Sequence, residues 1–270
     1  MTDWENEWLE TNRANWDERA PIHVSGEFYD VESFKAGAER LRPFELVEVG
    51  DVSGKSLAHL QCHFGIDCLC WARRGAKVSG LDFSAPAVEA ARQLASEMEL
   101  DADFVQANVY DAPQALARTF DVVYTGLGAI NWLPDIRRWT EVASSLVNPG
   151  GFLYLVEFHP FTNVFGDEDL NLTHDYFHEG MRVWEDTGTY ADLEAETENN
   201  WTYERDHTLG EIVSAVAGSG LTIEFLHEHD YTLFPRWPIL EKSGFDTYRL
   251  PEEIPSLPLM FSLRAEKPGG

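Results

Sequence analysis

The residues of this chain best placed to do chemistry lie in a short turn at 61–65, whose sequence is Gln-Cys-His-Phe-Gly. The apolar run 57–60 before the turn predicts a strand, and the residues after it show a helical pattern. A second predicted strand, 77–81, ends on Asp82, seventeen positions after Gly65. A turn at a helix N-terminus presents unpaired backbone N–H groups to an anion, and an acid at roughly this distance suits the two hydroxyls of a ribose. The unit therefore predicts a site for a nucleotide-like ligand.

The elements that must position this turn continue as an alternation of helices and strands. Ser84 and Pro86 suit the start of a helix, because serine caps a helix and proline fits its first turn. The further predicted elements of this part are a helix over 87–100, strands over 104–108 and 120–124, a helix over 136–146, and a turn and strand over 147–157. Such alternation favours an α/β fold with a doubly wound parallel sheet.

In this order and at this spacing, the segments resemble the class I methyltransferases, which use S-adenosylmethionine (SAM). The resemblance covers residues 50–160 well and 208–267 loosely. It implies a seven-stranded, mostly parallel sheet with an antiparallel last strand. It also implies transfer of a methyl group from SAM to a small-molecule acceptor.

The first turn departs from the family pattern, which usually has three alternating glycines. Gln61 and His63 occupy the first two of these places and only Gly65 remains, while His59 replaces the usual acid before the turn. We interpret the turn as a variant of the family motif. One alternative is a non-catalytic SAM- or nucleotide-binding module with a degenerate first motif. The other is a dinucleotide-dependent oxidoreductase, which the absence of a Gly-x-Gly-x-x-Gly fingerprint disfavours.

The resemblance also implies where the cofactor lies. The turn would wrap the methionine end of SAM with backbone N–H groups, and Tyr29 or Trp16 would close over it. Asp82 would accept hydrogen bonds from both ribose hydroxyls. The expected cofactor contacts are Tyr29, Leu60, Gln61, Cys62, His63, Gly65, Asp82, Phe83 on the adenine, Asn108 at its edge with Val109 and Tyr110 beside it, and Thr125 and Gly126 beneath the sulfonium.

The acceptor pocket is predicted between the carboxyl ends of the fourth and fifth strands, under residues 161–207 and 234–238. His159, at the end of the fifth strand, is the candidate general base. Four side chains are expected to contact the acceptor: Trp184, Trp201 and Trp237 as aromatic surface, and Arg236 as an anchor for a carboxylate. A surface ion pair is the alternative role for Arg236.

Four parts are expected along the chain: a helical N-terminal extension (1–50), the SAM-binding core (51–160), an inserted antiparallel flap that caps the substrate (161–207), and the C-terminal part of the core (208–270). The finer expectations are a helix from Val31 to Leu41 ended by Pro43, flap strands near 176–177, 181–183 and 201–203, a helix over 209–217 with Thr208 and Glu211 as capping box, strands over 221–232 and 260–265, and a proline-rich loop from 234.

The composition argues against several kinds of partner. The chain has 47 acidic and 20 basic residues, a formal charge of −27 that repels nucleic acid and anionic membranes. No apolar run reaches membrane-spanning length, and residues 1–5 lack the pattern of a secretion signal. A cytoplasmic monomer or homodimer is therefore expected.

The three cysteines, Cys62, Cys68 and Cys70, cluster in the turn and the helix after it. Their number and spacing favour neither a disulfide framework nor a closed zinc site. We expect buried thiols that pack as small apolar side chains, and no metal.

Overall fold

A computed structural model of the protein describes residues 3–166, 168–244 and 247–269. Its strands are β1 (Ser56–Leu60), β2 (Lys77–Asp82), β3 (Ala102–Gln106), β4 (Phe120–Thr125), β5 (Val147–Phe158), β6 (Arg182–Glu185), β7 (Trp201–Glu204), β8 (Thr222–His229), β9 (Tyr231–Thr232), β10 (Glu241–Gly244), β11 (Thr247–Arg249) and β12 (Met260–Glu266). Its α-helices are α1 (Asp3–Ser25), α2 (Val31–Lys35), α3 (Pro43–Val49), α4 (Ile66–Arg73), α5 (Ala85–Glu97), α6 (Ala112–Leu116), α7 (Ile136–Leu146) and α8 (Leu209–Gly218).

Seven strands form the central sheet, in the order β3-β2-β1-β4-β5-β12-β8. The strands β3, β2, β1, β4 and β5 are parallel to one another, while β12 is antiparallel to both β5 and β8. The predicted seven-stranded, doubly wound α/β fold is therefore confirmed. Because β1, β2, β4 and β5 are parallel, their carboxyl ends meet at one edge of the sheet, where open α/β sheets bind ligands.

Helices cover both faces of this sheet, which explains why its central strands are apolar runs. On one face, Trp71 of α4 packs in a cluster with Tyr124 and Phe104 of the sheet. On the other face, Trp139 of α7 and Ile212 of α8 pack in a second cluster. All five side chains are at most 5% exposed. None of the helices in the described ranges combines the length and the apolar composition that a bilayer crossing requires.

Two small sheets lie outside the central one. In the insertion, which we call the flap (residues 161–207), β6 pairs antiparallel with β7, but residues 176–177 form no strand. The segment predicted as one strand over 221–232 divides at Asp230. There β8 leaves the central sheet, and β9 joins β11 and β10 in a three-stranded antiparallel sheet. The predicted proline-rich loop from 234 therefore contains the strands β10 and β11.

The helical extension also differs in detail from the expectation. The helix expected over 31–41 stops at Lys35, and Pro43 begins α3 instead of ending a helix. Proline suits the first position of a helix because its missing N–H would be unpaired there in any case. Glu45 completes this start, since its side chain accepts a hydrogen bond from the Arg42 N–H at 2.9 Å.

One face of α1 is both polar and buried. Asn12, Asn15, Arg19 and His23 follow helical spacing and are at most 7% exposed. Asn12 exchanges two hydrogen bonds of 2.8 Å with the backbone of Tyr203 in β7. Asn15 and Arg19 both donate to the carbonyl oxygen of Asn199, at 2.8 and 2.9 Å. The N-terminal helix therefore binds the flap mainly through the flap's main chain.

We predict that Asn12→Ala lowers the free energy of unfolding. The substitution leaves the N–H and C=O of Tyr203 without their partner, at a cost of about 1–3 kcal/mol for each group that stays buried. Arg13→Ala, on the exposed side of the same helix, is the control and is expected to change stability by less than about 0.5 kcal/mol. Urea unfolding measures both. Equal stability of the two variants would contradict the role of the polar face.

Candidate active site

A single cleft of about 1890 Å³ runs along the carboxyl ends of the central strands. Ligand pockets commonly have volumes of about 300–1000 Å³, so this cleft has room for two ligands side by side. Its walls come from the 61–65 turn, the loop after β4, the extension and the flap.

The turn after β1 has an unusual backbone. The φ angles of Gln61, His63 and Gly65 are 58°, 53° and 80°, so three alternating residues are left-handed. These are the three places at which the resembled family has glycine. A residue with a side chain pays about 1–2 kcal/mol for this conformation, and it persists only where surrounding contacts enforce it.

Three contacts hold the turn in this conformation. The His63 N–H donates to Asp82 Oδ2 at 2.8 Å, and the Gln61 Nε2 donates to the Ala129 carbonyl at 2.8 Å. The His63 ring places its Nε2 3.2 Å from Nδ1 of His23 in α1. The side chains at positions 61 and 63 therefore join the turn to β2, to the loop after β4 and to the N-terminal helix.

Asp82 ends β2 with its carboxylate in the cleft lining. One oxygen accepts from His63, and the other accepts from the Ser84 N–H at 2.9 Å. Burial raises the pKa of Asp82 to about 6, although these backbone hydrogen bonds oppose the shift. Each oxygen retains acceptor capacity, which suits a pair of ligand hydroxyls.

Four expected cofactor contacts, Phe83, Asn108, Val109 and Tyr110, lie together beside Asp82 in the cleft. The Asn108 Oδ1 accepts from the Tyr110 N–H at 3.0 Å and caps a 3₁₀ turn at Val109–Asp111. Its amide NH₂ remains as a donor in the lining of the cleft. The Tyr110 hydroxyl donates to the Asp135 carbonyl at 2.9 Å, which fixes this wall to α7.

Residues of the extension also line the cleft. Trp16 and Tyr29 both lie there, as expected, and their rings are 5.3 and 5.7 Å from the His63 ring. Arg42 and Asp67, which sequence patterns did not single out, lie beside them, with Nη1 3.6 Å from Oδ2. This cation and anion together can bind the zwitterionic end of an amino-acid-like ligand. The helix start at Pro43, next to Arg42, is the one sequence signal that could have indicated this charged pair.

His59 and Cys68 form a buried pair beneath the turn, with Cys68 Sγ 3.3 Å from His59 Nδ1. Burial opposes ionisation of Cys68, but hydrogen bonds with Cys62 and His59 outweigh it and lower the pKa of Cys68 to about 6. Of the three thiols, all buried, Cys62 alone lines the cleft. Across the described residues, no three histidine, cysteine or acidic side chains come together in a way that suits a metal ion.

The loop after β4 forms the floor of the cleft. Gly126 lines it, while Leu60 and Thr125 are fully buried and do not, so contacts from the latter two side chains are not supported. Glu157 of β5 accepts the N–H groups of Gly128 and Ala129 at 2.6 and 3.0 Å and so fixes the loop. Burial raises the pKa of Glu157 to about 8.

The flap side of the cleft combines aromatic and charged groups. Trp184, Arg236 and Trp237 line it as expected, but Trp201 is 51% exposed and does not. Side chains of four segments form a continuous polar chain there. Arg236 Nη1 donates to Asn163 Oδ1 at 2.9 Å, Asn163 Nδ2 donates to Asp206 Oδ1 at 2.9 Å, and Arg182 pairs with the other oxygen of Asp206.

Glu204, at the end of β7, also lines the cleft and was not indicated by sequence patterns. Asn131, just past the β4 loop, lies beside its carboxylate, and the neighbouring Arg205 N–H donates to the Asn131 carbonyl at 2.9 Å. Burial raises the pKa of Glu204 to about 7. Glu204 can therefore exchange a proton near neutral pH at the boundary between the floor and the flap.

His159 is placed differently from the expectation. Its Nδ1 accepts from the Phe161 N–H at 3.1 Å and caps the 3₁₀ turn Pro160–Val164, and its Nε2 lies 3.0 Å from Glu228 Oε1. The ring is buried and is not part of the cleft wall. Nδ1 caps the turn after β5 and Nε2 faces Glu228, away from the cleft lining, so the position of His159 argues against a role as general base.

The order of the central strands and the cleft at their carboxyl ends define a doubly wound α/β domain. Residues 48–153 match the sequence model of a family described as a methyltransferase domain. Ubiquinone biosynthesis O-methyltransferase from Erwinia tasmaniensis is 30% identical over 135 residues, which are 48% of this chain and 55% of that protein. The chain thus spans about half the length of the curated relatives it matches.

Solved structures extend the likeness in fold to most of the chain. A SAM-dependent methyltransferase from Mesorhizobium loti has a TM-score of 0.58 at 21% identity and covers 86% of this chain and 99% of its own. Geranyl diphosphate C-methyltransferase from Streptomyces coelicolor has a TM-score of 0.53 at 13% identity, covering 83% and 77%. The fold predicted from the sequence, that of the class I SAM-dependent methyltransferases, is confirmed.

We predict that Gly65→Ala disrupts the turn. A Cβ at this left-handed position would lie 2.6 Å from the Phe104 ring and 3.0 Å from the Ala91 Cβ. The expected loss of stability is about 2–4 kcal/mol, from the backbone conformation and from overpacking. Gly218→Ala is the control, because a Cβ there meets no atom within 4 Å and alanine favours a helix. Urea unfolding that ranks the two variants equally would contradict the constraint at position 65.

Proposed function

We propose that this protein transfers a methyl group from SAM to a small-molecule acceptor. The observation that carries the proposal is the left-handed turn at Gln61, His63 and Gly65, held against Asp82 at the edge of one large cleft. The residues present fit SAM, because a carboxylate for ribose hydroxyls, an amide donor at Asn108 and the Arg42–Asp67 pair all line this cleft.

We assign the proposed cofactor contacts by the chemistry of these lining residues. The methionine end lies against the turn, Tyr29, Arg42 and Asp67, the ribose lies on Asp82, and the adenine lies between Phe83 and Asn108. When bound, SAM supplies an electrophilic methyl group. Gly126 lies in the floor where that group must face the acceptor.

We further propose an acceptor hydroxyl. Support comes from the matched relatives, which are O-methyltransferases, and from Glu204 in the cleft wall. The Glu204 carboxylate takes the hydroxyl proton, which leaves the acceptor oxygen nucleophilic toward the methyl carbon. Trp184 offers ring surface to the acceptor, and Arg236 offers a cation to an anionic substituent, whereas the Trp237 ring is 1% exposed and packs against Phe165. The flap holds these groups over the floor and excludes water.

A non-catalytic SAM-binding module is the second candidate. It is favoured by one observation, the replacement of two turn glycines by Gln61 and His63. Incubation with SAM carrying a radioactive methyl group and a panel of catechols, other phenols and amines separates the two. Tight binding without transfer to any of them would favour the module.

We also infer that the protein acts in the cytoplasm, as a monomer or homodimer, and does not bind nucleic acid. The formal charge of −27 supports the last point. We also propose that the chain is divided into an extension, a SAM-binding core, a substrate-capping flap and a C-terminal part of the core.

We predict that SAM affinity falls as the pH drops below 6. The pKa of Asp82 is raised to about 6 by burial, so its carboxylate is ionised above that pH and protonated below it. Ribose hydroxyls donate to the ionised form, so the affinity is expected to be level above pH 7 and to fall by up to about tenfold per unit below pH 6. Calorimetry from pH 5 to 8 measures this.

Asp82→Asn is expected to weaken binding at pH 7.5 and to remove the dependence between pH 5 and 7. Asp103→Asn is the matched control, since this exposed carboxylate on the neighbouring strand pairs with Arg118 outside the cleft. An unchanged pH profile in Asp82→Asn would assign the titration to another group and remove Asp82 from the ribose site.

We predict that Glu204→Gln lowers turnover by about 10²–10⁴ without changing SAM affinity, because it removes the proton acceptor alone. His159→Asn is the comparison, since it retains an acceptor for the Phe161 N–H and is expected to keep full turnover. Both are assayed with the best acceptor from the panel. Full turnover in Glu204→Gln would mean that Glu204 is not the proton acceptor, and that the protein accelerates transfer only by positioning the acceptor.

A further inference from the structure

A hydrogen-bonded chain of three side chains links the flap to the cofactor turn through α1. Thr189 Oγ1 of the flap lies 2.9 Å from His23 Nε2, and His23 Nδ1 lies 3.2 Å from His63 Nε2. His23 is fully buried between the other two. A second contact of His23 Nδ1, to the Tyr190 hydroxyl, is 3.5 Å long and at the limit of a hydrogen bond. The chain thus crosses three elements that are far apart in sequence.

The direction of the hydrogen bonds between these three side chains follows from counting their donors and acceptors. The Thr189 hydroxyl oxygen accepts from the Ala191 N–H at 2.9 Å and from the Asp192 N–H at 3.3 Å, the latter shared with the Thr189 carbonyl. Thr189 is 6% exposed, and among the described residues His23 Nε2 is the acceptor within reach of its hydrogen. If His23 donated instead, the hydroxyl hydrogen would be buried without a partner, which is costly. The hydroxyl therefore donates to His23.

This direction fixes the tautomers of both histidines. Burial lowers the pKa of His23 to about 4 and also lowers that of His63, so both rings are neutral at neutral pH. A neutral ring with an acceptor at Nε2 carries its hydrogen at Nδ1. His23 Nδ1–H therefore donates to His63 Nε2, and His63 in turn carries its hydrogen at Nδ1.

The remaining donor of the three side chains, His63 Nδ1–H, lies at the cleft. The His63 ring lines it, and its Nδ1 has no hydrogen-bond partner within the described residues. We propose that His63 Nδ1–H donates to the carboxylate at the methionine end of SAM, and that Thr189 of the flap sets the tautomer that makes this possible. The inference rests on the proposed function. The opposite tautomer would turn a lone pair toward the carboxylate and repel it.

The consequence is selectivity for nucleosides that carry an amino-acid carboxylate. S-adenosylhomocysteine has this group, whereas 5′-methylthioadenosine shares the nucleoside and the sulfur but lacks it. The chain from Thr189 contributes to the affinity of the first ligand only. His63 is a binding residue in this scheme, and Thr189 and His23 are positioning residues.

The test compares Thr189→Val, which removes the hydroxyl at nearly constant shape, with Thr189→Ser, which keeps it. Calorimetry with S-adenosylhomocysteine is expected to show about tenfold weaker binding in Thr189→Val, as expected for the loss of a hydrogen bond to a charged group. Binding of 5′-methylthioadenosine is expected to stay within about twofold of the wild type, and Thr189→Ser is expected to match the wild type for both ligands. His63→Phe is expected to show the same selective loss.

Two calorimetric outcomes overturn the inference alone. In the first, the wild type binds S-adenosylhomocysteine and Thr189→Val binds it equally well; in the second, Thr189→Val weakens the binding of both ligands equally. Wild-type protein that binds neither nucleoside overturns the proposed function, and this inference with it. Long-range ¹⁵N–¹H spectra of the histidine rings give a measurement without ligand. They are expected to show the Nδ1–H tautomer of His63 in the wild type and in Thr189→Ser, and a shift toward the Nε2–H tautomer in Thr189→Val. An Nε2–H tautomer in the wild type contradicts the assignment.

Discussion

The left-handed backbone of the 61–65 turn is the constraint on which the rest of the site depends. Two residues with side chains hold a conformation that glycine adopts without strain, and contacts elsewhere must offset the difference. Asp82 supplies one such contact by accepting the His63 N–H, and the side chains of Gln61 and His63 supply the others. The places that the resembled family fills with glycine thereby become the points at which the turn is joined to its surroundings.

The flap is attached to α1 by directional polar contacts. The flap exposes large apolar side chains such as Leu172 and Phe177, while its cleft side carries the Arg182–Asp206 pair. Its attachment to α1 uses amide and guanidinium groups that bind main-chain atoms. Hydrogen bonds weaken steeply when they are bent, so this attachment defines one position of the flap more sharply than apolar packing would.

Sequence patterns predicted the central sheet and the 61–65 turn because both carry local signals. A strand buried on two faces must be an apolar run, as at 120–125. Other features lack such signals. A proline begins some helices and ends others, so Pro43 was ambiguous, and a histidine at a strand end reveals the edge of the sheet but not the direction of its ring, as His159 illustrates. The partners of Asn12 are main-chain groups 191 positions away, and they leave no pattern in the sequence.

The main-chain attachment of the flap has a consequence for how this scaffold can change its chemistry. Asn12, Asn15 and Arg19 hold the flap by peptide groups that every amino acid except proline provides. Flap side chains that face the acceptor can therefore be exchanged without weakening the attachment of the flap to α1. Main-chain atoms of the flap fix its position, whereas its side chains select the acceptor. Laboratory evolution toward new acceptors therefore has its widest scope in the flap, provided that Thr189 and the backbone of Asn199 and Tyr203 are left in place.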